Sequence, residues 1–153
     1  MTPTYPRLLP DRDKFHDWYL DEDIVIVLSD GNKLHLSKGF RFDSHSIPWP
    51  INYILARHVN TLPGKPNDTY AALVHDALIS LDNWHRYNRK FEDKEYRRFM
   101  NMPEYKISRF RSYVMPIAVR LYGWLHYDIW GDNRGIPKNG QHITICTTEN
   151  VTI

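Results

Sequence analysis

Two ionisable residues, His75 and Asp76, lie side by side in an otherwise apolar stretch, and Asp93 follows further along the chain. Ionisable groups are costly to remove from water unless they are paired, hydrogen-bonded or bound to a metal. An aspartate bonded to a histidine fixes the tautomer of the imidazole and raises its basicity. One interpretation of the three residues is therefore a hydrolytic site in which His75 is the general base, Asp93 orients it and Asp76 holds a cation such as Ca²⁺.

A second polar segment, residues 39–48, carries Asp43 and Ser46 ahead of Pro48. Such residues commonly form turns by accepting backbone N–H bonds, and that is the favoured interpretation. Asp43 is also a candidate oxygen ligand for the cation held by Asp76.

The alternative to chemistry is a buried polar network that fixes the register of the helices. In this interpretation Arg89 neutralises one of the carboxylates. The predicted cluster comprises Asp43, Ser46, His75, Asp76, Arg89 and Asp93.

The elements that must position these residues follow from hydrophobic periodicity and turn signals. Residues 24–28 and 33–37 predict two strands joined by an Asp-Gly turn, with a third short strand at 40–42 and a β-prone segment at 142–146. A short helix is expected at 50–59.

Three longer helices are predicted downstream, each with a polar residue at its start. They run from Asp68 to about residue 81, from Asn88 to about residue 100 and from Ser108 to about residue 126. Spacings of four, three and four place Arg89, Asp93, Tyr96 and Met100 on one face of the second helix, directed at the first.

The fold class is therefore α+β, with a small N-terminal antiparallel hairpin or sheet followed by a bundle of three to four helices. We expect an extended arm over 1–14, a single domain over 15–126 and a tail with a short β segment over 127–153.

The composition of the 153 residues narrows the function classes. The net charge of +2 gives no general attraction for nucleic acid. A single cysteine excludes an internal disulfide and a cysteine-based zinc site. No run of apolar residues is long enough to span a membrane, and no signal peptide is expected.

Four motifs in order resemble domain of unknown function 1353, a family of small proteins of tailed bacteriophages and prophages. They are Gly39-Phe40-x-x-Asp43-x-x-Ser46-Ile47-Pro48, Ala72-x-x-His75-Asp76-x-Leu78, Arg89-x-x-x-Asp93 with Phe99-Met100, and Ala118-Val119-Arg120-x-x-Gly123. The resemblance covers about residues 15–125. It implies a phage origin, the candidate site residues and a location in the virion or the host cytoplasm. It implies no reaction.

The His-Asp pair and the later aspartate are also similar to the active-site helices of phospholipase A2. That similarity implies His75 as base, Asp76 as calcium ligand and Asp93 as orienter. The glycine-rich calcium loop and flanking cysteines of those enzymes are absent from this sequence.

Two functions therefore stay open, and the first is favoured. One is a virion or assembly component without catalysis that docks on other phage proteins, with its oligomeric state left open. The other is a metal-assisted hydrolase in which His75 and Asp93 act on the substrate water and Asp76 holds Ca²⁺, with Asp43 as a candidate second ligand.

Overall fold

A computed structural model describes residues 7–10, 17–43, 69–82, 87–105, 107–125 and 143–146. Within these ranges the chain forms two small antiparallel sheets and three α-helices. The predicted α+β class, with strands before a helical bundle, is confirmed.

The first sheet contains β1 (Leu8–Pro10), β2 (Asp17–Leu20) and β5 (Arg41–Asp43), with β2 in the centre. Trp18 of β2 lies opposite Phe42 of β5 in the antiparallel register. The chain enters β5 through Gly39, whose φ of 89° is in the left-handed region that favours glycine. The Gly39 N–H donates to the Leu20 carbonyl at 2.7 Å, and the Leu20 N–H donates to the Phe40 carbonyl at 2.9 Å. These two bonds join β2 to the segment that enters β5.

The second sheet contains β3 (Ile24–Val27), β4 (Lys33–Leu36) and β6 (Ile143–Cys146), with β4 in the centre. The predicted hairpin between β3 and β4 is present. Gly31 has a φ of 87° in its turn, and the Leu28 N–H donates to the Asn32 carbonyl at 2.9 Å. Leu34 and Leu36 alternate with polar neighbours along β4 and are buried, as the sequence pattern predicts.

The three helices are α1 (Thr69–Asp82), α2 (Arg89–Met100) and α3 (Arg109–Gly123). The side chain of Asn88 accepts the Phe91 N–H at 3.0 Å, and that of Ser108 accepts the Arg111 N–H at 3.3 Å. Both are N-caps that satisfy an unpaired donor of the first turn. After α2, a 3-10 turn (Pro103–Tyr105) leads toward α3.

The core lies between the sheets and α1, which is buried along most of its surface. Small and branched residues of α1 allow α2 and β5 to approach it closely. The largest fully buried side chains include Leu34, Leu36, Phe40, Phe42, Leu73, Leu78, Tyr96, Met100 and Met115.

A buried ion pair ties the β3–β4 hairpin to α2. The Glu95 side chain is fully buried and accepts two hydrogen bonds from the Arg98 guanidinium, at 2.9 and 2.6 Å. Arg98 also donates to the Val27 carbonyl at 2.8 Å, and the Ser29 N–H donates to Glu95 at 3.3 Å. The edge of the hairpin is thereby held against the helix.

Segments that the sequence assigns to an arm and a tail contribute strands: β1 lies within residues 1–14, and β6 lies within 127–153. The helix expected at 50–59 falls outside the described residues. Of the helices described, none is long and apolar enough to cross a membrane.

Candidate functional site

His75 and Asp76 lie on α1, where His75 is buried and Asp76 is half-buried. His75 is 8% exposed as a residue, and its side chain is 10% exposed. The Asp76 side chain is 15% exposed. The neighbouring Val74 and Ala77 are fully buried, so α1 brings the two polar residues to the edge of the core rather than to open solvent.

Asp93 of α2 faces His75 across the antiparallel helix pair, as the helical spacing predicts. Its Oδ1 lies 4.0 Å from His75 Nε2, while Asp76 Oδ1 lies 3.9 Å from His75 Nδ1. The two ring nitrogens therefore face two carboxylates on opposite sides. Neither distance is short enough for a hydrogen bond, which needs about 3.2 Å or less.

The positive charge around Asp93 comes from three arginines, Arg120, Arg89 and Arg97. Arg120 of α3 places its Nη1 3.2 Å from Asp93 Oδ2, although its side chain is 63% exposed. Arg89, one turn before Asp93 on α2, donates to the Arg120 carbonyl at 3.3 Å. His75, Asp93 and Arg120 thus form a line of polar side chains that crosses α1, α2 and α3.

Burial controls the protonation of His75. Loss of hydration, with a smaller contribution from the nearby Arg89 charge, lowers the pKa of His75 to about 4. The imidazole is therefore neutral at physiological pH. Burial also raises the pKa of Asp93, while Arg120, Arg89 and Arg97 oppose that shift.

Tyr96 completes the environment of the imidazole. Its ring meets that of His75 edge-on, with centroids 5.2 Å apart. Burial raises the pKa of the Tyr96 hydroxyl, and the charge of Asp76 raises it further. The hydroxyl is buried and has no hydrogen-bond partner among the residues described.

The remaining predicted residues are placed only in part. Asp43 ends β5 opposite Asp17, and β5 packs on α1, but its side chain is not described. Ser46 lies outside the described residues. In the described ranges no group of three or more His, Cys, Asp or Glu residues could hold a metal ion. The calcium role of Asp76 and Asp43 stays a prediction.

Sequence reasoning did not assign Arg120 to the site, and it took Tyr96 only as an inward-facing residue. Both positions carried a signal. Arg120 belongs to the fourth motif, on a helix that otherwise lacks charge near its end, and Tyr96 follows Asp93 at helical spacing. What was missing was the packing of α3 on α2, which brings Arg120 to Asp93.

Comparison with known proteins agrees with the motif resemblance. The family described as protein of unknown function (DUF1353) matches residues 18–119, which is two thirds of the chain. No curated protein and no solved structure matches the chain.

Proposed function

We propose that this chain, which belongs to the DUF1353 family of proteins of unknown function, is a non-catalytic virion or assembly component of a tailed bacteriophage. The phage assignment is supported by the resemblance of the four motifs. The absence of catalysis is supported by the state of His75, which is the observation that carries the proposal.

His75 is a poor general base in this setting. A base is most effective when its pKa lies near the working pH, and that of His75 is lowered to about 4. Asp93, the predicted orienter, lies 4.0 Å from the ring and forms its ion pair with Arg120 instead. The groups are arranged as a network that joins three helices.

Such a network suits a protein whose task is to present a fixed surface. A polar cluster that only packs correctly in one arrangement favours one register of the helices. In an assembly component, that register sets the position of the surfaces that meet neighbouring subunits. The exposed aromatic and aliphatic side chains of α3 are one such surface.

The virion role is tested on particles of the phage or prophage that encodes the chain. After density-gradient purification, mass spectrometry should detect the protein in the same gradient fractions as the major capsid protein, at a constant ratio to it. A repressor or replication protein of the same phage serves as the matched control and should be depleted. Equal depletion of this chain would refute the virion role.

The structural role of His75 is tested in the same phage with His75→Gln, which keeps a neutral polar side chain. If the network is structural, infectivity and particle yield should stay within a few-fold of the wild type. Loss of infectivity by a variant that folds and enters particles normally would count against the proposal and in favour of catalysis.

A calcium-assisted hydrolase is the second candidate, because both ring nitrogens of His75 face carboxylates in the predicted order. His75 would take a proton from the water that attacks an ester carbonyl, while Ca²⁺ on Asp76 would stabilise the oxyanion. The purified protein is incubated with phosphatidylcholine vesicles, with calcium or with a chelator. Calcium-dependent release of fatty acid that His75→Gln abolishes would support this candidate. No release in either condition would remove it.

A further inference from the structure

An exposed apolar stripe runs along α3 on the side opposite the core. Its residues are large and unusually exposed for their type: Phe110 60%, Tyr113 72%, Ile117 40%, Leu121 59% and Trp124 52%. Trp124 follows the last residue of α3 but keeps helical backbone angles, so it continues the stripe. At about 100° per residue, the five positions fall within an arc of about 80°.

The spacing of the stripe is the same read in either direction. Steps of three, four, four and three residues place Ile117 at its midpoint, with Tyr113 and Leu121 on either side and Phe110 and Trp124 at the ends. A two-fold axis through Ile117 would lay a second α3 antiparallel on the first. Phe110 would then meet Trp124 of the second copy, and Tyr113 would meet its Leu121.

We propose that this stripe is a self-complementary surface through which two copies of the chain pair by antiparallel packing of their α3 helices. A contact between identical patches closes on itself and yields a dimer rather than an open filament. This inference does not depend on the virion role, since it rests on α3 alone.

The area available is in the range that a dimer needs. Aromatic side chains bury about 150–250 Å² each, so the five partly exposed residues offer on the order of 500 Å² per copy. Two copies would bury about 1,000 Å² from the stripe alone, which is near the lower limit for a specific interface. Residues beside the stripe would add to it.

The charges on α3 favour the antiparallel arrangement. No acidic residue lies between Ile107 and Leu125, and Arg109 is exposed at the start of the helix. Antiparallel pairing brings Arg109 to the carboxyl end of the second helix, where the helix dipole and the Trp124 ring both attract a cation. Parallel pairing would instead bring the two Arg109 residues together.

Arg120 borders the stripe and would otherwise oppose pairing. Its guanidinium is drawn to Asp93 of α2, 3.2 Å away, so part of its charge is compensated within the same copy. The ion pair with Asp93 therefore reduces the repulsion that Arg120 would add beside the stripe.

The first test measures the molar mass of the full chain by sedimentation, from micromolar to submillimolar concentrations. The wild type should approach twice the monomer mass as the concentration rises. Ile117→Glu puts two carboxylates face to face on the axis and should weaken association at least a hundredfold. Val25→Glu, on an exposed apolar residue of β3 (52%), is the control and should leave association unchanged.

The second test determines orientation by thiol cross-linking in a Cys146→Ser background. Ile117→Cys should cross-link to itself, because the axis brings the two positions together. Phe110→Cys should not link to itself, since antiparallel pairing separates the two copies of that residue by about 21 Å along the axis. It should link to Trp124→Cys when the two variants are mixed.

A wild type that stays monomeric, with no cross-link through Ile117→Cys, would overturn the inference and indicate that another protein or another part of the chain covers the stripe. A dimer that Ile117→Glu leaves intact, or one that links Phe110→Cys to itself, would overturn it as well. Retained helical circular dichroism in Ile117→Glu distinguishes a lost interface from a lost fold.

Discussion

At the scale of single residues, the site is defined by competition for Asp93. His75 and Arg120 both lie within about 4 Å of its carboxylate, and only Arg120 comes closer than 3.5 Å. A neutral imidazole gains little from a carboxylate at that distance, whereas a guanidinium compensates a partly buried charge. The histidine is thus held by burial and by the Tyr96 ring more than by its acidic neighbours.

The lowered pKa of His75 predicts a loss of stability in mild acid. The pKa of the His75 imidazole is about 4 in the folded state and 6.5 in the unfolded chain. As the pH falls, the unfolded chain therefore binds the proton first. The free energy of unfolding should therefore drop by about 3 kcal/mol between pH 6.5 and pH 4 on account of this residue. Above pH 6.5 its contribution is constant.

Urea denaturation across that pH range tests the prediction. His75→Gln, which cannot titrate, should remove most of the drop, and the difference between the two proteins isolates His75 from the carboxylates. Parallel curves for wild type and His75→Gln would show that the burial of His75 does not govern its protonation.

Arg120→Gln tests whether the ion pair with Asp93 carries energy. Because the Arg120 side chain is 63% exposed, solvent screens the pair, and we expect a loss of only about 1 kcal/mol in the free energy of unfolding. The variant should also raise the pKa of Asp93 further. Lys94→Gln, the exposed neighbour of Asp93, is the control. A double-mutant cycle with Asp93→Asn should show coupling, and strict additivity would mean that the two side chains do not interact in solution.

At the scale of elements, the ion pair of Glu95 and Arg98 holds the β3–β4 hairpin against α2. Removing one partner of such a pair leaves a charge that the interior cannot solvate. We expect Arg98→Met to cost about 3 kcal/mol and to loosen the β3–β4 hairpin, whose Val27 carbonyl loses its donor. Hydrogen exchange should show faster exchange in β3 and β4.

The double variant Glu95→Gln with Arg98→Met should recover part of that loss, because it removes the unpaired carboxylate. Arg97→Met, one residue earlier on the exposed face of α2, is the matched control and should have little effect. A single Arg98→Met that is as stable as the control would show that Glu95 is satisfied without the arginine.

The elements that were predicted well are those with local signals. Asn88 and Ser108 cap their helices as the sequence indicates, because capping depends on residues within one turn. The division of the strands into two sheets was not predictable in this way. β5 follows β4 directly in the chain but pairs with β2, and only the long-range register, with Trp18 opposite Phe42, sets that choice.

The same distinction applies to the site. The helical spacing of Asp93 on α2 predicts that it lies opposite His75. The pairing of Asp93 with Arg120 depends on the angle at which α3 packs on α2. Hydrophobic periodicity within one helix does not predict the angle between two helices. The distance of 4.0 Å between imidazole and carboxylate, which decides between a dyad and a network, depends in the same way on how α2 packs on α1.

At the scale of the whole molecule, segments far apart in the chain complete each sheet. β6 lies more than a hundred residues after β4 and pairs with it, with Ile143 opposite Leu36. Ile143 is 8% exposed and belongs to the core, and Leu36 is fully buried. The C-terminal segment, predicted as a tail with a short β segment, therefore contributes β6 to the folded unit.

Truncation of the C-terminal segment measures how much β6 contributes to the stability of the fold. Ending the chain after residue 142 removes β6, exposes Leu34 and Leu36 at the edge of β4, and should lower the free energy of unfolding by about 3 kcal/mol or more. Ending it after residue 146 keeps β6 and serves as the control. Thermal unfolding and urea titration of both truncated chains measure the difference. Equal stability of the two would mean that β6 adds nothing to the stability of the fold.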